Sequence, residues 1–189
     1  MRLISFVLLT TLTIPARVIA AADAYTIDPM HTYPSLEFSH MGMSMWRGKF
    51  NRSSGKVRFD RQAGTGSVEV SVDAASLDFG LDKMNEAATS ADWLNTAKFP
   101  TMTYRGTLVA QNGVPARVDG ELTLLGVTRP VNLHLKSFKC MPHPLLKREW
   151  CGADAEGQLN RADFGLSQYL QMDGGIILLR IQVEVLKDQ

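Results

Sequence analysis

A period-two alternation of apolar and polar residues runs through nearly every segment after residue 22, and it restricts what this chain can become. The final segment shows it most plainly, with Ile177, Leu179, Ile181, Val183 and Val185 set against Arg180, Gln182 and Glu184. The same pattern recurs over residues 36–38, 68–72, 102–108, 118–124 and 131–135. Residues 47–51 continued through 56–60, and residues 153–159, bring the expectation to about eight strands. Successive side chains of a strand point to opposite faces, so each strand has one apolar and one wet face. Turn residues punctuate the runs: Ser53-Ser54-Gly55, residues 63–66 (Ala-Gly-Thr-Gly), Asn112-Gly113 and Gly126. A sheet of this kind must close on itself or fold into two packed layers. If it closes, an eight-stranded interior either fills with side chains or holds one small ligand. Gly106 and Gly120 among the inward positions leave room as readily as their Val and Leu neighbours fill it.

Non-strand material is concentrated between residues 74 and 99. Leu81, Met84 and Ala88 fall at helical spacing and predict a short amphipathic helix. Behind it, Ser90 suits an N-cap, Asp92 the first turn of a second helical piece, and Trp93 and Leu94 its apolar payload. Pro100 ends that piece and biases Phe99 to an extended conformation. A helical insertion carrying Trp93 and Phe99 into a β chain reads as a lid on a barrel or as a helix packing one end of a sandwich. No repeat, linker or low-complexity segment interrupts the remainder, so residues 23–189 are expected to form one domain.

The first 22 residues differ in kind. Arg2 precedes an apolar run from residue 3 to 14, then come Pro15 and the small-residue end Ala20-Ala21-Ala22. That is the pattern of a cleaved secretory leader, too short to span a bilayer. The whole chain carries a formal net charge of +1; without Arg2 and Arg17 the balance is 18 basic against 19 acidic residues. Such a balance, with no basic run, argues against nucleic acid as a partner. In an oxidising compartment the two cysteines, Cys140 and Cys151, are expected to form a disulfide, stabilising the fold by about 3 kcal/mol.

Catalytic patterns are weak. His31, His40, His134 and His143 show no HExxH pairing, and neither a GxSxG elbow nor a phosphate-cradling loop occurs. His134 alternates onto a wet face. Arg161 and Asp163 read as a structural turn pair. One sharper signal is His40 with Met41, Met43 and Met45, because thioethers and imidazole suit Cu(I); Met is equally a flexible core filler.

Several short motifs, in order along the chain, together resemble the YceI family of bacterial periplasmic proteins. They are Tyr25-Thr26-Ile27-Asp28 with His31, residues 38–42 (Phe-Ser-His-Met-Gly), Gly48-Lys49-Phe50, residues 90–94 (Ser-Ala-Asp-Trp-Leu) with Lys98-Phe99-Pro100, residues 120–131, and residues 161–165 (Arg-Ala-Asp-Phe-Gly). Residues 86–88, Glu-Ala-Ala, depart from the basic and His residues many members place there. The resemblance implies an all-β fold, an extended lipocalin-like antiparallel barrel with a short helical insertion around a long apolar tunnel. It also implies a polyisoprenoid ligand, such as a polyprenyl compound or a quinone tail, held by a periplasmic carrier, storage or stress protein.

An isoprenoid tail offers no hydrogen bonds, so its site needs apolar and aromatic walls closed from water. Burying about ten ligand CH2 groups gives roughly 8 kcal/mol gross, which is at best micromolar affinity. The candidate walls are Phe38, Phe50, Phe59, Met84, Trp93, Phe99, Tyr104 and Phe164, although each would serve plain core packing as well. The reading is a binding protein rather than an enzyme and calls for no cofactor. The runners-up are a copper or stress-protective module using His40 and its Met neighbours, and an enzyme acting on an isoprenoid quinone. Partners left open are a membrane or membrane quinone protein, contacted transiently, and a second copy of the chain.

Overall fold

The computed structural model describes residues 22–189; residues 1–21, and with them nearly all of the expected leader, lie outside the described part. In chain order the elements are β1 (Asp23–Ile27), β2 (Tyr33–His40), β3 (Ser44–Phe50), β4 (Ser53–Asp60), β5 (Thr65–Asp73) and β6 (Leu77–Asp78). Helix α1 (Asp82–Thr89) follows, then β7 (Thr101–Gln111), β8 (Val114–Leu124), β9 (Val127–Pro130), β10 (Leu133–Pro142) and β11 (Glu149–Asn160). Helix α2 (Leu170–Asp173) and β12 (Ile176–Lys187) complete the chain.

The one-sided strands close on themselves. The ring runs β1-β4-β5-β7-β8-β10-β11-β12, and β12 pairs back onto β1 with Tyr25 opposite Lys187 and Ile27 opposite Val185. Every pairing is antiparallel. This is the expected eight-stranded barrel, with extensions. Strand β12 is long enough to pair with β1 near its end and with β2 along residues 177–182. Between β1 and β2 the chain steps out at residues 28–32. Thr32 Oγ1 bridges the step, donating to the Glu184 carbonyl and accepting from the Glu184 amide. In the same way β3 runs on into β4, and β5 into β6 across a 3-10 turn at Ala74–Ser76. The β2, β3 and β6 extensions stand above the closed ring at one end. There α1 packs beside β6 before the chain returns through β7.

Two hairpins turn with the same backbone hand, one of them through a leucine. Asn112 and Gly113 both take positive φ between β7 and β8, as do Leu125 and Gly126 between β8 and β9. Two-residue turns of that hand match the twist of the strands they join. Ser53-Ser54-Gly55, expected as a turn, instead lies within β4; the break falls at residues 51–52. A Cβ on Gly55 would approach the Glu69 carbonyl to 2.2 Å, so glycine serves close strand approach there.

The insertion also differs from expectation. Ser90 is the C-cap of α1, because its hydroxyl bonds back to the Ala87 carbonyl rather than forward to an amide. Residues 91–98 then form successive turns, anchored by Asn95 N donating to the Ser90 carbonyl at 2.8 Å. Leu81 is the N-cap residue of α1 and is exposed, so it does not belong to the apolar face.

At the barrel end away from α1, Tyr25, Phe59 and Phe138 form an aromatic plug, with ring centroids 6.2 Å and 5.4 Å apart along the chain of contacts. Tyr25 is fully buried, and its hydroxyl donates to Glu149, which also pairs with Arg61. Burial, reinforced by that carboxylate, pushes the Tyr25 phenol far above its ordinary range. Cys140 and Cys151 face one another across β10 and β11 near this end and form the expected disulfide, with Cα atoms 4.0 Å apart.

Candidate functional site

Between the plug and the helical insertion the barrel is hollow. The cavity holds about 650 Å³, within the range of roughly 300–1,000 Å³ usual for small-molecule sites. Its walls come from the apolar face of nearly every strand: Leu36 and Phe38 of β2, Val68 and Val70 of β5, Leu122 of β8, Leu135 of β10, and Ile177, Leu179, Ile181 and Val183 of β12. These residues are only half-buried because the lumen beside them is open.

The room does not come from the glycines of β7 and β8. A Cβ on Gly120 would meet the Tyr104 ring, and one on Gly106 would meet Val118, so larger neighbours fill both places. It comes from β11, whose wall positions are small from Cys151 through Gly152 and Ala153 to Ala155, before Leu159 near its end. Strand β11 from Cys151 to its end spans about 30 Å at about 3.3 Å per residue, or about 23 Å along the axis of a barrel with ordinary strand tilt. The cavity is therefore long as well as narrow.

Of the expected wall residues, Phe38, Phe50, Met84, Trp93 and Tyr104 line the cavity. Tyr104 also spans the barrel wall, donating to the Val131 carbonyl at 2.9 Å, and its burial raises the phenol strongly. Phe59, Phe99 and Phe164 stand outside the wall. Phe59 belongs to the plug, Phe99 packs over Gly126, and Phe164 is buried in the 3-10 turn Arg161–Phe164 after β11. The insertion thus contributes Trp93, Leu94, Met84, Ala87 and Ala88 to the cavity, but not Phe99.

Four further features escaped sequence reasoning. Trp46 lines the cavity opposite Phe38; equal spacing of the two about Gly42 was the available signal. Phe79 lines it too, its ring lying where a Cβ on Gly48 would sit. Tyr169 stacks on Trp93 at 6.4 Å and is exposed at the rim with Met41 and Met172. Arg161 and Asp173 are the charged pair of the lining. Arg161 does not pair with Asp163, which is exposed; it reaches Asp173 at 2.9 Å and is itself 3% exposed. Arg161 continues the inward phase of Ala155 and Leu159, and that phase was legible.

The His–Met segment is not gathered into one ligand set. His40 lies on the cavity side and stacks on Trp46 at 4.1 Å, whereas Met45 pairs with Ser39 on the opposite face of the hairpin and Met43 is 83% exposed. A different group, Asp28, His31 and Glu184, brings metal-ligating side chains together outside the cavity. Its members already have partners: His31 Nδ1 lies 2.7 Å from Asp28, and Glu184 accepts from Trp150 Nε1 at 3.0 Å. The hydrogen bond to Asp28 raises the His31 imidazole. Partial burial alone would raise Asp28, but the bonds from His31 and the Met30 amide outweigh it and hold that carboxyl below its usual range.

Comparison with known proteins follows the same lines. The profile of the YceI-like domain family matches residues 25–186. Protein YceI of an Escherichia coli O6:H1 strain is 32% identical over 168 residues, covering 87% of each chain. Among solved structures, Burkholderia cenocepacia BcnA superposes with a TM-score of 0.69 at 20% identity, over 84% of this chain and 98% of that one. A polyisoprenoid binding domain from Saccharophagus degradans, implicated in plant cell wall breakdown, superposes with a TM-score of 0.64 at 15% identity, over 88% and 99%.

Proposed function

The chain belongs to the YceI family, and from that premise we propose that it binds the tail of an isoprenoid lipid, a polyprenyl compound or a prenylated quinone, inside its barrel. The observation that carries the reading is the long apolar cavity of about 650 Å³, left open by the small residues of β11. A flexible hydrocarbon chain matches such a lumen in shape and in lack of hydrogen-bonding groups. The polyisoprenoid-binding description of the Saccharophagus degradans domain, which shares the fold, points the same way. The leader-like N-terminus and the disulfide support export to an oxidising compartment, where the protein would act as a carrier or store rather than as an enzyme.

Trp46 and Trp93 both line the cavity, so their fluorescence reports occupancy. Titration with a tetraprenyl benzoquinone is expected to quench it saturably at one ligand per chain, with micromolar affinity. Equal quenching by the same benzoquinone without its tail would contradict the proposal.

A further inference from the structure

Arg161 is more than the apolar cavity requires. It follows Leu159 in the inward phase of β11 and lines the lumen, yet it is 3% exposed and charged. Burying a guanidinium is unfavourable unless its donors are met. A guanidinium carries five N–H donors. Nη1 donates to the Leu166 carbonyl at 2.8 Å, and Nη2 reaches both oxygens of Asp173 at 2.9 Å. Among the described residues, Nε and the second N–H of Nη1 have no acceptor. Trp93 lies against the same group, its ring centroid 5.4 Å from the guanidinium carbon.

These features stand at the end of the cavity where Met41, Tyr169 and Met172 form an exposed rim. A tail that fills the lumen would therefore carry its polar end past Arg161. We propose that Arg161 is the head-group receptor of this site, one of its unmet donors binding an oxygen of the ligand, and that the oxygen belongs to a neutral group. This rests on the reading of the cavity as an isoprenoid site.

The neutrality follows from Asp173. Its carboxylate already balances the guanidinium and is held in place by the Gly175 amide at 2.8 Å. A phosphate at Arg161 would bring further negative charge beside that partly buried carboxylate, and like charges in a poorly hydrated site repel strongly. A quinone carbonyl or an alcohol accepts such a hydrogen bond without that opposition.

The test compares tetraprenyl benzoquinone, geranylgeranyl phosphate and a head-less prenyl hydrocarbon of similar length, titrated against the full protein and two variants that keep side-chain size. The parent is expected to bind the quinone at least about tenfold more tightly than the phosphate or the hydrocarbon. Arg161→Lys, which keeps the charge but loses the fork, should bring the quinone to within a few-fold of the hydrocarbon. Asp173→Asn should leave the hydrocarbon unchanged and move preference toward the phosphate by about tenfold. Where either variant fails to fold, the other decides. Unaltered preferences in a folded variant would overturn the assignment and leave tail binding intact. Failure of all three ligands on the parent would instead overturn the function proposed above, and this receptor with it.

Discussion

Replacing Ala155 by Leu separates a hollow barrel from a packed one by the sign of its effect. Ala155 is a buried residue of β11 that lines the lumen. In a close-packed core, three added carbons would force neighbours aside and cost about 1–3 kcal/mol. In an open lumen the same carbons bury about 2.4 kcal/mol of apolar surface, at about 0.8 kcal/mol each, less about 0.5–1 kcal/mol of Leu rotamer entropy. The net expectation for the ligand-free protein is a gain of about 1.5 kcal/mol. The ligand loses what the protein gains: displacing a similar length of tail removes about 2.4 kcal/mol of binding, or about fiftyfold in Kd. Urea unfolding without ligand gives the first quantity, and quenching by tetraprenyl benzoquinone gives the second. A variant that is destabilised and still binds as the parent does would refute the reasoning, because the lumen at Ala155 would then be filled by protein.

Three other outcomes are expected. Trp93→Ala removes a half-buried wall residue stacked on Tyr169, so it should cost less than the 3–5 kcal/mol typical of a core aromatic while weakening quinone binding about tenfold; normal binding with full destabilisation would make Trp93 plain core. Reducing the Cys140–Cys151 disulfide should lower unfolding stability by about 3 kcal/mol with little change in binding, and alkylation of both thiols in the non-reduced, denatured protein would show that no disulfide formed. The Asp28–His31 contact should be pH-dependent. His31 is raised in the fold, so its contribution is complete below about pH 6.5 and is lost as pH rises through the raised value; Asp28 is lowered, so its contribution is complete above about pH 4 and is lost as pH falls through the lowered value. His31→Gln should therefore lower the urea midpoint more at pH 5 than at pH 8, and an equal loss at both would contradict the pairing.

Much of the barrel was legible because alternation is a direct imprint of one-sided burial. Residues 47–51 and 56–60 read as one strand with an interruption, and β3 and β4 are that strand. Residue type misled where backbone geometry decides. Ser53-Ser54-Gly55 has turn chemistry, yet Gly55 is there because β5 passes too close for a side chain. Ser90 has N-cap chemistry, and its hydroxyl satisfies the preceding turn instead. At the site, alternation placed Phe38, Phe50 and Tyr104 on the inner face, but it could not separate lumen from end plug; Phe59 has the same phase and packs on Tyr25 and Phe138. Whether the interior was open depended on the small residues of β11 acting together with their neighbours across the ring, a property of closure that no single strand encodes. The Arg161–Asp173 pair joins positions separated by a loop and a short helix, so only its inward phase was readable.

The central claim is that the lumen holds an isoprenoid tail, and the most direct measurement is the mass of what the protein carries. The protein, expressed from its full sequence and purified without detergent, is weighed by native mass spectrometry and then extracted with organic solvent for lipid analysis. The account predicts a complex heavier than the bare chain by one prenylated lipid, which the extract contains and which Ala155→Leu largely loses. A bare chain together with an extract free of prenyl compounds, from cells that make them in abundance, would contradict it.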